Sequence, residues 1–115
     1  RWNQLHPEED PRQSYLESTL AHREGPYVAA TDYMKIVPDQ VQRWMPGQYV
    51  TLGTDGYGRS DARDALRRFF EVDERYIAVT ALKALADEGK VDQKTVSSAI
   101  AKYGIDPDKP DPVTL

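Results

Sequence analysis

Cysteine is missing from all 115 residues, so neither a disulfide framework nor a thiolate metal site is available. A reducing, intracellular compartment is the default reading of that absence. No apolar run approaches the roughly 20 residues of a membrane-spanning helix, and the opening "RWNQLHPEED" has no apolar core of the signal-peptide kind. The chain therefore reads as soluble, with no membrane partner. A basic excess is lacking too: 19 acidic side chains face 15 basic ones, the formal charge is −4, and no basic arm stands out. That balance argues against a nucleic-acid partner, whose phosphates call for a positive surface. The two histidines, His6 and His22, have no partner histidine at metal-ligand spacing, and no metal site is read from them.

What is present amounts to one domain's worth of chain. It opens on Arg1 rather than methionine, as a processed or truncated chain would. A polar entry leads into a helix with Pro11 in its first turn and Tyr15, Leu16, Thr19 and Leu20 at helical spacing, ended by Gly25 and Pro26. "YVAA" (27–30) and "YVTL" (49–52) are short apolar runs without polar alternation, the pattern of strands in a parallel sheet. Between them Thr31 or Asp32 can cap a helix carrying Tyr33, Met34, Val37, Val41, Trp44 and Met45. Pro38 either kinks that helix or starts a second one. Strand, helix and strand in so short a span make a βαβ unit.

From Ser60 onward the pattern is helical. Ala62, Ala65, Leu66, Phe69 and Phe70 share one face. Asp73 caps the next helix, with Ile77, Ala78, Ala81, Leu82 and Leu85, and Gly89 stops it; Asp92 caps the last, with Val96, Ala99, Ile100 and Tyr103, and Gly104 stops it. The domain is read over residues 1–105, and the tail 106–115, rich in proline and acid, as extended or disordered. Two parallel strands fall short of the about three that an independent sheet needs. Either further strands escape notice or part of the domain lies outside this chain, and the second is the preferred reading.

The stretch "GTDGYGRSD" (53–61) follows the second strand, at the edge where open α/β sheets place ligand crevices. Its glycines run G-x-x-G-x-G, not the dinucleotide order, and no Gly-Lys-Ser/Thr of a P-loop is present. Turn chemistry needs no further assumption: Gly56 and Gly58 can take positive φ, Asp55 can bond nearby amides, and Ser60 or Asp61 can cap the helix. Arg59 is left over, a cation beside a helix start where an anion or a carboxylate can be met. Ser60 with Asp61 has no histidine base nearby in sequence, so capping is preferred to nucleophilic chemistry.

Asp64 and Arg68 form an i, i+4 pair, and Arg63 with Arg67 occupies the adjoining face. These charges read as a solvated face or, alternatively, as a dock for an acidic partner. Trp44, Met45, Phe69 and Phe70 read as core, partly exposed if the domain is incomplete.

The same stretch, continued as "VTLGTDGYGRSDARDALRRFFEVDERYIAVTALKALADEGKVD", resembles the C-terminal domain of the homodimeric bacterial pyruvate dehydrogenase E1 component, a thiamine diphosphate enzyme of the transketolase superfamily. "RWNQLHP", "ATDYMK", "FFEVD" and "IAKYGID" fit that family in the same order across nearly the whole chain. The resemblance implies a mostly parallel α/β sheet flanked by helices, incomplete on its N-terminal side. It implies thiamine diphosphate and magnesium in the intact enzyme, held by preceding domains, with none bound by this segment. "TDGYG" contains Asp-Gly but lacks the asparagine-containing metal motif of those domains, and no catalytic, cofactor-binding or metal-binding residue is assigned. It further implies a bacterial cytoplasmic protein whose partners are the remaining E1 domains, a second E1 subunit and the dihydrolipoyl acetyltransferase. Tyr57-Gly58-Arg59-Ser60 matches an aromatic-Gly-x-Ser element of related domains, so Asp55, Tyr57, Arg59, Ser60 and Asp61 are the candidate interdomain or dimer-contact loop. A reading of another class also stands: a stand-alone α/β interaction module that binds its partner through the basic helix face.

Overall fold

The computed structural model describes all 115 residues. In chain order the elements are α1 (Trp2–Leu5), α2 (Tyr15–Leu20), β1 (Tyr27–Ala30), α3 (Ile36–Asp39), a 3-10 turn (Gln42–Trp44), β2 (Tyr49–Leu52), α4 (Arg63–Phe69), α5 (Glu74–Asp87), α6 (Gln93–Lys102) and a closing 3-10 turn (Pro112–Thr114). β1 and β2 pair in parallel, Tyr27 opposite Tyr49 through Ala30 opposite Leu52, and no third strand joins them. Each strand therefore has one edge without a partner.

α5 is the central support. It packs on both strands, and α6 packs on α5. Small side chains permit that approach: Ala84 and Ala86 of α5 and Val96 of α6 are buried, together with Val72 just before α5. Only 7 of 115 residues are buried, and the radius of gyration is 17.5 Å, against about 13 Å for a compact domain of this length. The chain is spread out over its surfaces. Tyr33, Met34, Ile36 and Val37 are all exposed along the β1–β2 crossover, and Trp44 is 39% exposed.

Local signals set the helix ends. α2 starts at a capping box in which Ser14 accepts from the Glu17 amide and Glu17 accepts from the Ser14 amide. Pro11 lies before the helix, not in its first turn. Asp73 accepts from the amides of Arg75 and Tyr76 at the start of α5, and Asp92 from that of Lys94 at the start of α6. α4, α5 and α6 close with the same pair of backbone bonds, the second running from the sixth residue to the first: Val72 to Arg67, Lys90 to Leu85, Ile105 to Ile100. The left-handed residue this needs is glycine at Gly89 and Gly104 but Glu71, with φ 62°, after α4.

Three expectations are corrected. The crossover forms a one-turn helix and a 3-10 turn, neither a helix kinked at Pro38 nor a second helix begun there: Pro38 lies inside the first turn, where no intrahelical amide bond is lost. Neither Ser60 nor Asp61 caps α4, whose N-cap is Ala62; the Asp61 carboxylate accepts only from the adjoining Ala62 amide. The tail is neither loose nor wholly extended. Lys109 Nζ donates to the Phe69 carbonyl (2.8 Å) and pairs with Glu71 (3.0 Å), and Pro112 is buried against the glycine loop.

Candidate functional site

The loops that leave the carboxyl ends of β1 and β2 are laced together. Thr54 N donates to the Tyr33 carbonyl (2.8 Å), Thr54 Oγ1 to the Asp32 carbonyl (3.2 Å), and Lys35 N to Asp55 Oδ1 (2.9 Å). Gly53 makes this possible, because a Cβ there would stand 2.7 Å from the Tyr33 oxygen and 2.8 Å from the Lys35 nitrogen. Gly56, at φ 113°, turns the chain away from Pro112, whose oxygen would be 2.9 Å from a Cβ. Gly58 has a negative φ and open space where a Cβ would be. Two of the three loop glycines are thus explained by backbone geometry, and Gly58, expected to need positive φ, is not.

Between this loop and α4 lies an open cleft of about 420 Å³. Tyr57, Arg59 and Asp61 line it, joined by Arg63, Arg67 and Asp32, with Leu66 and Phe70 supplying its apolar wall. Ser60 lies beside a neighbouring hollow with Leu66 and Phe69. Asp55 faces away, spent on the Lys35 amide twenty residues upstream instead of on its own turn. Of the five candidate loop residues, the fold thus brings three to one cleft, one to its rim and one to the interloop clasp.

Arg59 is not free. Its guanidinium lies 4.3 Å from the centre of the Phe69 ring, a cation–π contact. Arg67 crosses to Asp32 with two bonds, Nε at 3.2 Å and Nη2 at 2.8 Å. The bonds from Arg67 hold the Asp32 carboxyl below the usual carboxylate range and raise the guanidinium in turn. The i, i+4 pair expected of Asp64 and Arg68 does not form, nor does Arg67 belong to a merely solvated face. Asp32, read with Thr31 as a possible helix cap, is the partner of Arg67 instead, a role without a local signal because the two lie 35 residues apart in the chain.

No group of three or more histidine, cysteine, aspartate or glutamate side chains comes together to hold a metal. His6 stacks on Trp2 (4.2 Å between centres) and donates from Nδ1 to the Trp2 carbonyl, while the Arg12 guanidinium lies over the Trp2 ring, 3.8 Å from its centre. With no such cluster of ligands, the residues present do not fit a magnesium–diphosphate group. No helix is long and apolar enough to cross a membrane.

A parallel strand pair with laced loops at its carboxyl edge, covered by α5 with α6 behind it, defines a small α/β segment. The sequence model of the transketolase-like C-terminal domain matches residues 2–73, and the chain belongs to that family. It is 54% identical over 114 residues to the pyruvate dehydrogenase E1 component of Pseudomonas aeruginosa, covering 98% of this chain and 13% of that protein. Its identity to the E1 component of Cupriavidus necator is 49% over 115 residues (100% of this chain and 13% of the relative), and to that of Escherichia coli K12, 50% over 113 residues (97% and 12%). The chain thus spans about an eighth of the length of these relatives.

Proposed function

We propose that these residues form a C-terminal segment of a pyruvate dehydrogenase E1 subunit, supporting dimer assembly and the active-site entrance rather than carrying the chemistry. The observation that carries this reading is near-complete alignment at about half identity with relatives of that name. In this reading the intact enzyme decarboxylates pyruvate on thiamine diphosphate with magnesium and passes the acetyl unit to lipoyl groups of the acetyltransferase, in the bacterial cytoplasm. The cofactors sit on domains outside these residues. The exposed crossover and the two unpartnered strand edges are then surfaces against which the rest of the domain and the second subunit pack. Tyr57, Arg59, Ser60 and Asp61 form the contact loop, and Asp55 anchors it to the loop after β1.

The test uses the full-length polypeptide that contains this chain and a version ending before Arg1. The full-length form is expected to be a dimer that decarboxylates pyruvate only with thiamine diphosphate and magnesium. The shortened form is expected to lose most of its dimer and its acetyl transfer. A shortened form with dimer and turnover intact rejects the assembly role; a full-length form inert toward pyruvate with its cofactors rejects the enzyme.

A further inference from the structure

The cleft between the glycine loop and α4 carries two guanidinium groups without an anionic partner. Arg59 and Arg63 make no ion pair and no side-chain hydrogen bond, whereas Arg67, beside them, is bound to Asp32. Asp61, the other acid of the cleft, accepts from the Ala62 amide. Counting Asp32, Asp61 and the three arginines leaves a single positive charge in excess, in a chain whose net charge is −4. One carboxylate balances this excess; a dianionic phosphate over-fills it.

We infer that the cleft receives a carboxylate side chain, flanked by an apolar residue, from a segment of the same polypeptide lying outside these 115 residues. The inference rests on the assembly role proposed above and names its chemistry. Arg59 already rests on the Phe69 ring, a contact that lowers the rotamer freedom it would lose on meeting a carboxylate. Leu66 and Phe70 form the apolar wall beside it, a seat for the carboxylate's neighbour. Gly58 needs neither its φ nor its lack of Cβ for any contact within the chain. Open space there lets another backbone come close over the loop. The relatives are about eight times longer than this chain, so ample polypeptide exists to supply the segment.

The experiment is arginine modification by phenylglyoxal, read by mass spectrometry on the full-length protein, with Arg68 as the internal standard because it too is unpaired and exposed. Arg59 and Arg63 are expected to react about tenfold more slowly than Arg68, the scale of a charge-assisted contact. Arg63→Lys keeps the protection of Arg59, and Arg63→Gln lowers it several-fold, since a carboxylate answers to charge where plain apolar cover does not. Equal rates for all three arginines, or equal effects of lysine and glutamine, overturn the inference. Amide exchange of residues 54–60 in the same protein separates the two failures. Protected amides with reactive guanidiniums leave a contact loop without a carboxylate, and exchanging amides with reactive guanidiniums remove the contact loop as well.

Discussion

Arg67 and Asp32 join α4 to the carboxyl end of β1 through two hydrogen bonds, at 3.2 and 2.8 Å, across 35 residues of sequence. This is the clasp that holds one wall of the cleft in place. Both side chains are substantially exposed, 40% and 64%, so solvent and salt weaken the pair and its effect on global stability is small. Its local effect is open to measurement. Asp32→Asn is expected to raise amide exchange in α4 without unfolding α5, and high salt to do the same in the unaltered protein. The Asp32 carboxyl is lowered by the Arg67 bonds, so the clasp is complete above the ordinary carboxylate range and is lost as pH falls through the depressed value. The protection of α4 amides, taken relative to their intrinsic exchange rate at each pH, should fall along that acid limb and not along the alkaline one.

Asp73 is the buried cap of α5 and the partner of Arg75, whose guanidinium also reaches the Tyr103 carbonyl at the end of α6 (3.2 Å). Burial acts to raise this carboxyl, but the bonds from Arg75 and the amides of Tyr76 and Arg75 outweigh it, and the net shift is downward. Asp73→Ala should cost about 1 kcal/mol of α5 stability, read as about a fivefold rise in exchange of the first α5 amides. Asp73→Ser keeps the cap and should recover much of that loss, leaving the α6 contact loosened.

Gly53 and Gly58 should respond oppositely to the same change. Gly53→Ala places a Cβ 2.7 Å from a backbone oxygen, and the laced loops must part; a cost of about 1–3 kcal/mol is expected, as for overpacking. Gly58→Ala meets nothing within 4 Å and should leave folding within about 0.5 kcal/mol. If the loop docks as proposed, Gly58→Ala nonetheless weakens that contact and speeds amide exchange of residues 54–60 in the full-length protein. Exchange with a thermal melt separates the two variants.

Glu71 holds a left-handed conformation that Gly89 and Gly104 hold at the equivalent helix ends. The carboxylate is tied to Lys109, which also binds the Phe69 carbonyl. Glu71→Ala and Glu71→Gly both remove the carboxylate and differ in backbone strain at this φ, set against the glycine's greater loss of chain entropy on folding. The glycine variant is expected to be more stable than the alanine variant by about 1 kcal/mol, measured by denaturant unfolding of both under the same conditions. Equal stabilities would mean that the strain at φ 62° does no more than match the glycine's extra entropy loss.

The sequence by itself determined the elements whose signals are local. Both strands stand at the residues where their apolar runs lie, Asp73 and Asp92 cap the helices they precede, and Gly89 and Gly104 close them, because caps and turns act over a few residues of chain. The order of family motifs was legible in the same way, and the transketolase-like C-terminal family follows from it. The crossover, read as a helix either kinked or restarted at Pro38, is neither, since its apolar spacing reflects a face left exposed and not a buried stripe. Only the tertiary structure decided the partners of the charges. Asp32 meets Arg67 rather than capping a helix, Arg59 stacks on Phe69 rather than standing free, and Lys109 pins a tail whose composition suggested disorder. The physical reason is range: a cap or turn is written into neighbouring residues, whereas an ion pair or a stacked cation depends on which segments the strand pairing and helix packing bring within a few ångströms, and spacing in sequence carries no record of that.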